Sequence, residues 1–137
     1  DEFNFTMKVV KIIIENNVGI GQNFHIISGG KLEIGSGTTI APNVFISNMD
    51  NDYREIGKPI LEQREIVNET KIGKNCFIGY GAVIQSGTVL GEQCIVGAGS
   101  IVKGKFPPFS VIVGNPAKII KRYDEIKKSW LRINDFE

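Results

Sequence analysis

Residues 72–102 read IGKNCFIGYGAVIQSGTVLGEQCIVGAGSIV, and in this stretch Ile72, Ile78, Ile84, Leu90, Val96 and Val102 recur at an unbroken spacing of six. That period is neither the 3.6 of a helix nor the 2 of an ordinary amphipathic strand. Glycine follows the aliphatic residue at Gly73, Gly79, Gly91 and Gly97, and a small residue follows four positions on at Cys76, Ala82, Thr88, Cys94 and Ser100. Asn75, Gly81, Gly87 and Gly99 stand between, and both types tolerate left-handed backbone at tight corners. The repeat predicts an all-β, three-sided prism in which each hexad is one short strand. Three hexads, about 18 residues, complete a coil, and coils stack at the usual strand spacing of about 4.8 Å. Cys76 and Cys94 then lie one coil apart, as small inward residues and not as a redox pair.

Working outward, the same phase occurs at Ile34, Ile40 and Ile46, and before that at Ile14, Ile20 and Ile26. Two extra residues around Gly29-Gly30 separate these blocks and predict a bulge or small outward loop. From Ile46 to Ile72 the interval is no multiple of six, so residues 47–71 are expected to form an excursion loop, and such interruptions of a compact fold are usually functional. The first coils are expected over about residues 8–46 and the last over 72–115, in one domain covering the chain. The hexads are expected to stop at Phe106-Pro107-Pro108. From 116 to 137 the spacing of Ile119, Ile120, Tyr123, Ile126, Trp130 and Ile133 predicts an amphipathic α-helix capping the open end of the solenoid.

Composition agrees with the repeat. Glycine is 16 of 137 residues against a usual ~7%, with only 5 prolines, so the excess is not that of a disordered linker. A net charge of +1 gives no field arguing for nucleic acid or an anionic membrane surface. No apolar run approaches the ~20 residues of a membrane-spanning helix. The start, Asp-Glu-Phe-Asn-Phe, lacks a signal peptide's basic and apolar regions and also an initiator Met. Together with two cysteines that make no disulfide framework, this predicts a cytoplasmic protein. The single histidine, His25, excludes a zinc site built from three histidines of one chain, and no metal is expected.

The stretch IGKNCFIGYGAVIQSGTVLGEQCIVGAGSIVKGKFPPFSVIVGNPAKIIKRY resembles the C-terminal half of the hexapeptide-repeat acyltransferases. The upstream PNVFISNMDNDYREIGKPILEQ is similar to the excursion-loop region of their sugar O-acetyltransferase branch, found in lipopolysaccharide and capsule biosynthesis. The resemblance covers roughly residues 34 to 123. It implies a left-handed parallel β-helix, a homotrimer with active sites between neighbouring prisms, and acetyl-CoA as donor. On the donor side it implies wall positions at Gly79 and Ala98 beside the pantetheine arm, and Lys103, Lys118, Lys121 and Arg122 near the CoA phosphates.

Acyl transfer from a thioester needs an aligned acceptor, removal of its proton and a donor to the oxyanion. In the resembling enzymes a loop histidine takes the proton. Here the corresponding residue is Asn51, within Ser47-Asn48-Met49-Asp50-Asn51-Asp52-Tyr53, and an amide is no base near neutral pH. Three readings follow: an impaired transferase, a base at Asp50 or Asp52, or a base at His25. The run Asp50, Asn51, Asp52 and Tyr53 is expected to hold a carbohydrate acceptor. A sugar hydroxyl is the first expectation, an amino-sugar nitrogen the second, and a non-catalytic trimeric binding solenoid the third.

Overall fold

The computed structural model describes residues 10–135. The expected start of the first coil at about residue 8, the N-terminal Asp-Glu-Phe-Asn-Phe and the last two residues of the expected cap lie outside the described residues. The first coil carries β1 (Lys11–Ile14), β2 (Gly19–Ile20) and β3 (His25–Ile27), and the second β4 (Lys31–Ile34), β5 (Thr39–Ile40) and β6 (Phe45–Ser47). The chain then leaves the prism as β7 (Met49–Asn51) and β8 (Glu65–Val67), with a 3-10 turn at Ile60–Glu62 between them. It returns through β9 (Thr70–Ile72), β10 (Phe77–Ile78) and β11 (Val83–Ile84), followed by β12 (Val89–Leu90), β13 (Ile95–Val96) and β14 (Ile101–Val102). A fifth coil opens with β15 (Lys105–Phe106) and β16 (Ser110–Gly114) and runs into β17 (Ala117–Asp124) and β18 (Ser129–Arg132).

Equivalent strands of successive coils pair in parallel. The first wall is β1-β4-β9-β12-β15, the third is β3-β6-β11-β14, and the second, β2-β5-β10-β13-β16, is extended by β17 and β18. This is a parallel β-solenoid consistent with the left-handed β-helix. The six-residue register is reproduced in the pairing. Ile34, Ile72 and Leu90 stack in one corner column, Ile40, Ile78 and Val96 in a second, and Ile46, Ile84 and Val102 in a third. All nine are fully buried, at about 1.5–3 kcal/mol of hydrophobic stabilisation for a buried Ile or Leu. The glycine that follows the aliphatic residue throughout the first column, at Gly35, Gly73 and Gly91, follows from the stacking itself. A Cβ on Gly73 would lie 2.8 Å from the backbone of Gly91 in the next coil.

Two expectations need correction. The hexads do not stop at Phe106-Pro107-Pro108. Phe106 pairs with Leu90 and Ile112 with Val96, so the aliphatic positions resume six apart after a single interval of four. The C-terminal segment is not a helix: β17 pairs antiparallel with β16 and β18 with β17, and a 3-10 turn at Ile133–Asp135 follows. The physical reason is the free edge that β16 presents, whose backbone groups a strand satisfies and a helix leaves unpaired. Asp124 Oδ1 accepts the amides of Ile126 and Lys127 at 2.9 Å each and so turns the chain between β17 and β18. Tyr123 then packs between Phe109 and Trp130, with ring centroids 6.3 and 5.7 Å away.

Candidate active site

The excursion leaves at the end of β6, in the third wall, one coil above the Gly29-Gly30 insertion. Asn48 joins the two. It is 0% exposed, its Oδ1 accepts the Gly29 amide at 2.8 Å, and its Nδ2 donates to Ser28 Oγ at 2.9 Å and to the Lys31 carbonyl at 3.0 Å. Its own carbonyl accepts the Asn68 amide at 2.9 Å, where the excursion returns. Thr70 adds a second tie, its hydroxyl donating to the Ser47 carbonyl at 2.9 Å. The excursion is therefore no structureless loop: β7 and β8 form an antiparallel ladder in which Asn51 faces Glu65.

Between this hairpin and the third wall lies a cleft of about 420 Å³. Ile27, Phe45, Met49, Leu61 and Val83 give it apolar walls, and Ser47, Asp50, Asn51, Gln85 and Ser86 give it a polar edge. Asp50 Oδ2 accepts a hydrogen bond from the Ser86 hydroxyl, and Lys103 Nζ stands 3.9 Å from the same oxygen. Asn51 is exposed on the rim. Asp52 turns away into a pair with Arg54, whose Nε and Nη2 donate to its two oxygens at 2.9 and 2.8 Å. That hydrogen bonding, with the Arg54 charge, holds the Asp52 carboxyl well below the usual carboxylate range. Tyr53 is 72% exposed.

His25 does not line this cleft. It sits on β3, in register with Phe45 and exposed, one coil below the excursion. Gly79 and Ala98 belong to successive coils of the second wall's edge. The Gly79 amide donates to the Val96 carbonyl at 2.9 Å, and a Cβ on Gly79 would lie 2.7 Å from the Ala98 nitrogen. Coil stacking alone therefore requires glycine there, and Ala98 is exposed. The cations do not stand together along one element. Lys103 follows β14 in the third wall, whereas Lys118, Lys121 and Arg122 lie on β17 at the end of the second. Arg122 keeps its Nε buried without a hydrogen-bond partner. Sequence reasoning did not single out Asn48 or Ser86, because both act across coils and no spacing along the chain marks such contacts.

Among the described residues no group of three or more His, Cys, Asp or Glu side chains is arranged to hold a metal ion. No described helix is long and apolar enough to cross a membrane.

Residues 69–103 match the family model described as the hexapeptide repeat of succinyl-transferase. The chain is 33% identical over 130 residues to a putative lipopolysaccharide biosynthesis O-acetyl transferase of Escherichia coli K12, covering 87% of this chain and 64% of that protein. A maltose O-acetyltransferase from Clostridium difficile 630 superposes with a TM-score of 0.65 at 32% identity, covering 84% of this chain and 68% of that one. A galactoside acetyltransferase in complex with coenzyme A gives a TM-score of 0.66 at 28% identity, over 85% and 62% of the two chains. Among these relatives the chain thus spans about two thirds of the partner's length. The repeat register, the excursion from the third wall and these likenesses agree: the chain belongs to the hexapeptide-repeat acyltransferase family.

Proposed function

We propose that this protein is an acetyl-CoA-dependent O-acetyltransferase that modifies a sugar or polysaccharide precursor in the cytoplasm, working as a homotrimer. The observation that carries the reading is the cleft under the excursion hairpin. It offers apolar walls for a sugar's C–H faces and a polar edge at Asp50, Asn51 and Gln85 for its hydroxyls, with Ser86 buried behind Asp50. Tyr53, next along the hairpin and exposed, would close over the acceptor from outside, while Asp52 stays in its pair with Arg54. The donor thioester would run along the outer wall past Gly79 and Ala98, with Lys118 and Lys121, together on the strand that extends that wall, toward the CoA phosphates. The coenzyme A complex of the galactoside enzyme and the names of the other relatives support donor and acceptor class alike. The homotrimer in this reading rests on the likeness to the hexapeptide-repeat acyltransferases. The reading assigns no metal.

With Asn51 at the expected base, transfer relies on alignment. Holding reactants in line supplies effective molarities of ~10⁵–10⁸ M, whereas a general base is worth ~10²–10⁴-fold. Asn51 also favours a second reading, N-acetylation of an amino sugar, because an unprotonated amine attacks without a base. The test is calorimetric titration with coenzyme A, followed by thiol release from acetyl-CoA in the presence of nucleotide sugars and oligosaccharides, amino and neutral. Coenzyme A binding with acceptor-dependent thiol release is expected. Failure to bind coenzyme A overturns the transferase reading and leaves the non-catalytic solenoid.

A further inference from the structure

The excursion hairpin has little to stabilise it on its own. β7 and β8 form a two-stranded sheet, with no ladder to any wall of the prism, and an isolated pair of this kind is marginal in water. At its root it is held by Asn48 and Thr70. Farther out the hold passes to Asp50, whose contacts are on later coils. Ser86 occupies the corner between β11 and β12 and is 1% exposed. Lys103 follows β14, one coil above Gln85, whose amide donates to the Val102 carbonyl at 2.9 Å. Asp50 thus spans from the exit of the second coil to the third and fourth.

We infer that Ser86 and Lys103 are positioning residues: through the Asp50 carboxylate they latch β7 onto the solenoid and fix Asn51 at the mouth of the acceptor cleft. Ser86 lines this cleft and also a second one beside Lys103 and Lys105, so the latch forms the partition between them. The inference rests on the transferase reading for its consequence, since a site without a loop histidine depends on geometry. The latch itself does not depend on that reading. Ser86, buried, supplies the directional hydrogen bond, and Lys103, more than half exposed, supplies a charge that solvent screens. Ser86 is therefore the larger contributor.

Amide hydrogen exchange on the whole protein tests the latch without needing an acceptor. Ser86→Ala and Asp50→Leu should each speed exchange in β7 and β8 by about fivefold, the effect of one net hydrogen bond, with β9 to β14 unchanged. Asp50→Asn should keep hairpin protection near that of the unaltered protein, because the amide oxygen still accepts the Ser86 hydroxyl. Lys103→Met should have a smaller effect. Unchanged hairpin exchange in Ser86→Ala, or equal loosening in Asp50→Asn and Asp50→Leu, overturns the latch. With an acceptor from the thiol-release screen, Ser86→Ala should lower kcat, by at most about fivefold, and leave the KM for acetyl-CoA alone. A loosened hairpin with unchanged kcat overturns the positioning role, while absent coenzyme A binding overturns the transferase reading instead.

Discussion

Asn48 Oδ1 accepts the backbone amide of Gly29 at 2.8 Å, so the residue at which the excursion departs is bonded to the bulge of the coil below. Both insertions into the repeat lie at one corner of the prism and are built as one unit. Three bonds of a fully buried amide depend on this side chain. Asn48→Ala leaves the Gly29 N–H and the Lys31 carbonyl unsatisfied, and each buried orphan costs about 1–3 kcal/mol. The expected outcome is a loss of about 2–4 kcal/mol, read as a fall in the urea midpoint at unchanged slope. Asn48→Asp should do no better, since a carboxylate cannot donate to Ser28 Oγ or the Lys31 carbonyl.

Gly79 and Gly81 separate two reasons for glycine. A Cβ on Gly79 meets the Val96 carbonyl oxygen and the Ala98 nitrogen at 2.7 Å, both backbone and unable to yield. At Gly81 the φ is +69° and nothing lies within 4 Å. Gly79→Ala should therefore cost at least the 1–3 kcal/mol of overpacking, and Gly81→Ala only the ~1–2 kcal/mol of left-handed strain. Thermal unfolding of the two variants checks the order. Equal midpoints would mean that coil spacing relaxes to admit the methyl group.

The solenoid was legible because a hexad carries its own register: Ile72, Ile78 and Ile84 each turn inward for the same local reason. Phe106 and Ile112 keep that role, but the interval of four after Val102 hides them from a search for sixes. The cap misled because an apolar pattern does not record which edge is free. Ile126, placed on the expected helix's apolar stripe, is 94% exposed at the tip of the β17–β18 turn. The excursion hairpin was legible as an interruption of the repeat. The Asp50–Ser86 contact was not, because it is made through space between a hairpin and a corner whose separation depends on the excursion.

Asp52 and Arg54 give a pH prediction for the hairpin. Hydrogen bonding from Arg54 lowers the Asp52 pKa in the folded state. A depressed carboxylate contributes stability above its unfolded pKa, near 3.9, and loses it as pH falls through the lower folded value. The pair therefore stays intact throughout mildly acidic conditions. In Arg54→Gln the Asp52 carboxyl should move up toward about 3.9 in an NMR pH series, remaining below it because the backbone amide of residue 54 still donates to Asp52 Oδ1. A titration unmoved from that of the unaltered protein would assign the shift to the hairpin backbone and not to the Arg54 guanidinium.

Cys76 and Cys94 face the interior of neighbouring coils, donating to the Gly91 and Pro107 carbonyls at 3.2 Å each. The hydrogen bond with Cys94 and burial push the Cys76 thiol up from its ordinary value. Since the thiolate is the reactive form, Cys76 should resist iodoacetamide in the native protein at pH 8 and be labelled only on unfolding. Mass spectrometry of native and urea-treated samples reads this directly. Labelling of Cys76 in the native protein would show that the first and second walls part at that corner.

Asn51 is exposed at the rim of the cleft, on the strand that Asp50 holds in place, so a larger side chain there meets no packed neighbour that must move. Asn51→His places an imidazole where an acceptor hydroxyl would present its proton, and a general base of this kind is worth ~10²–10⁴-fold. The gain should appear in thiol release with a hydroxyl acceptor and be much smaller with an amine, which attacks already unprotonated. An imidazole with an ordinary pKa near 6.5 works only when neutral, so the gain should be present above about pH 6.5 and fade below it. Coenzyme A binding should be unaffected, because the substitution lies on the acceptor side. A variant that binds coenzyme A yet shows no pH-dependent gain with any hydroxyl acceptor would mean that position 51 is not where the acceptor's proton leaves.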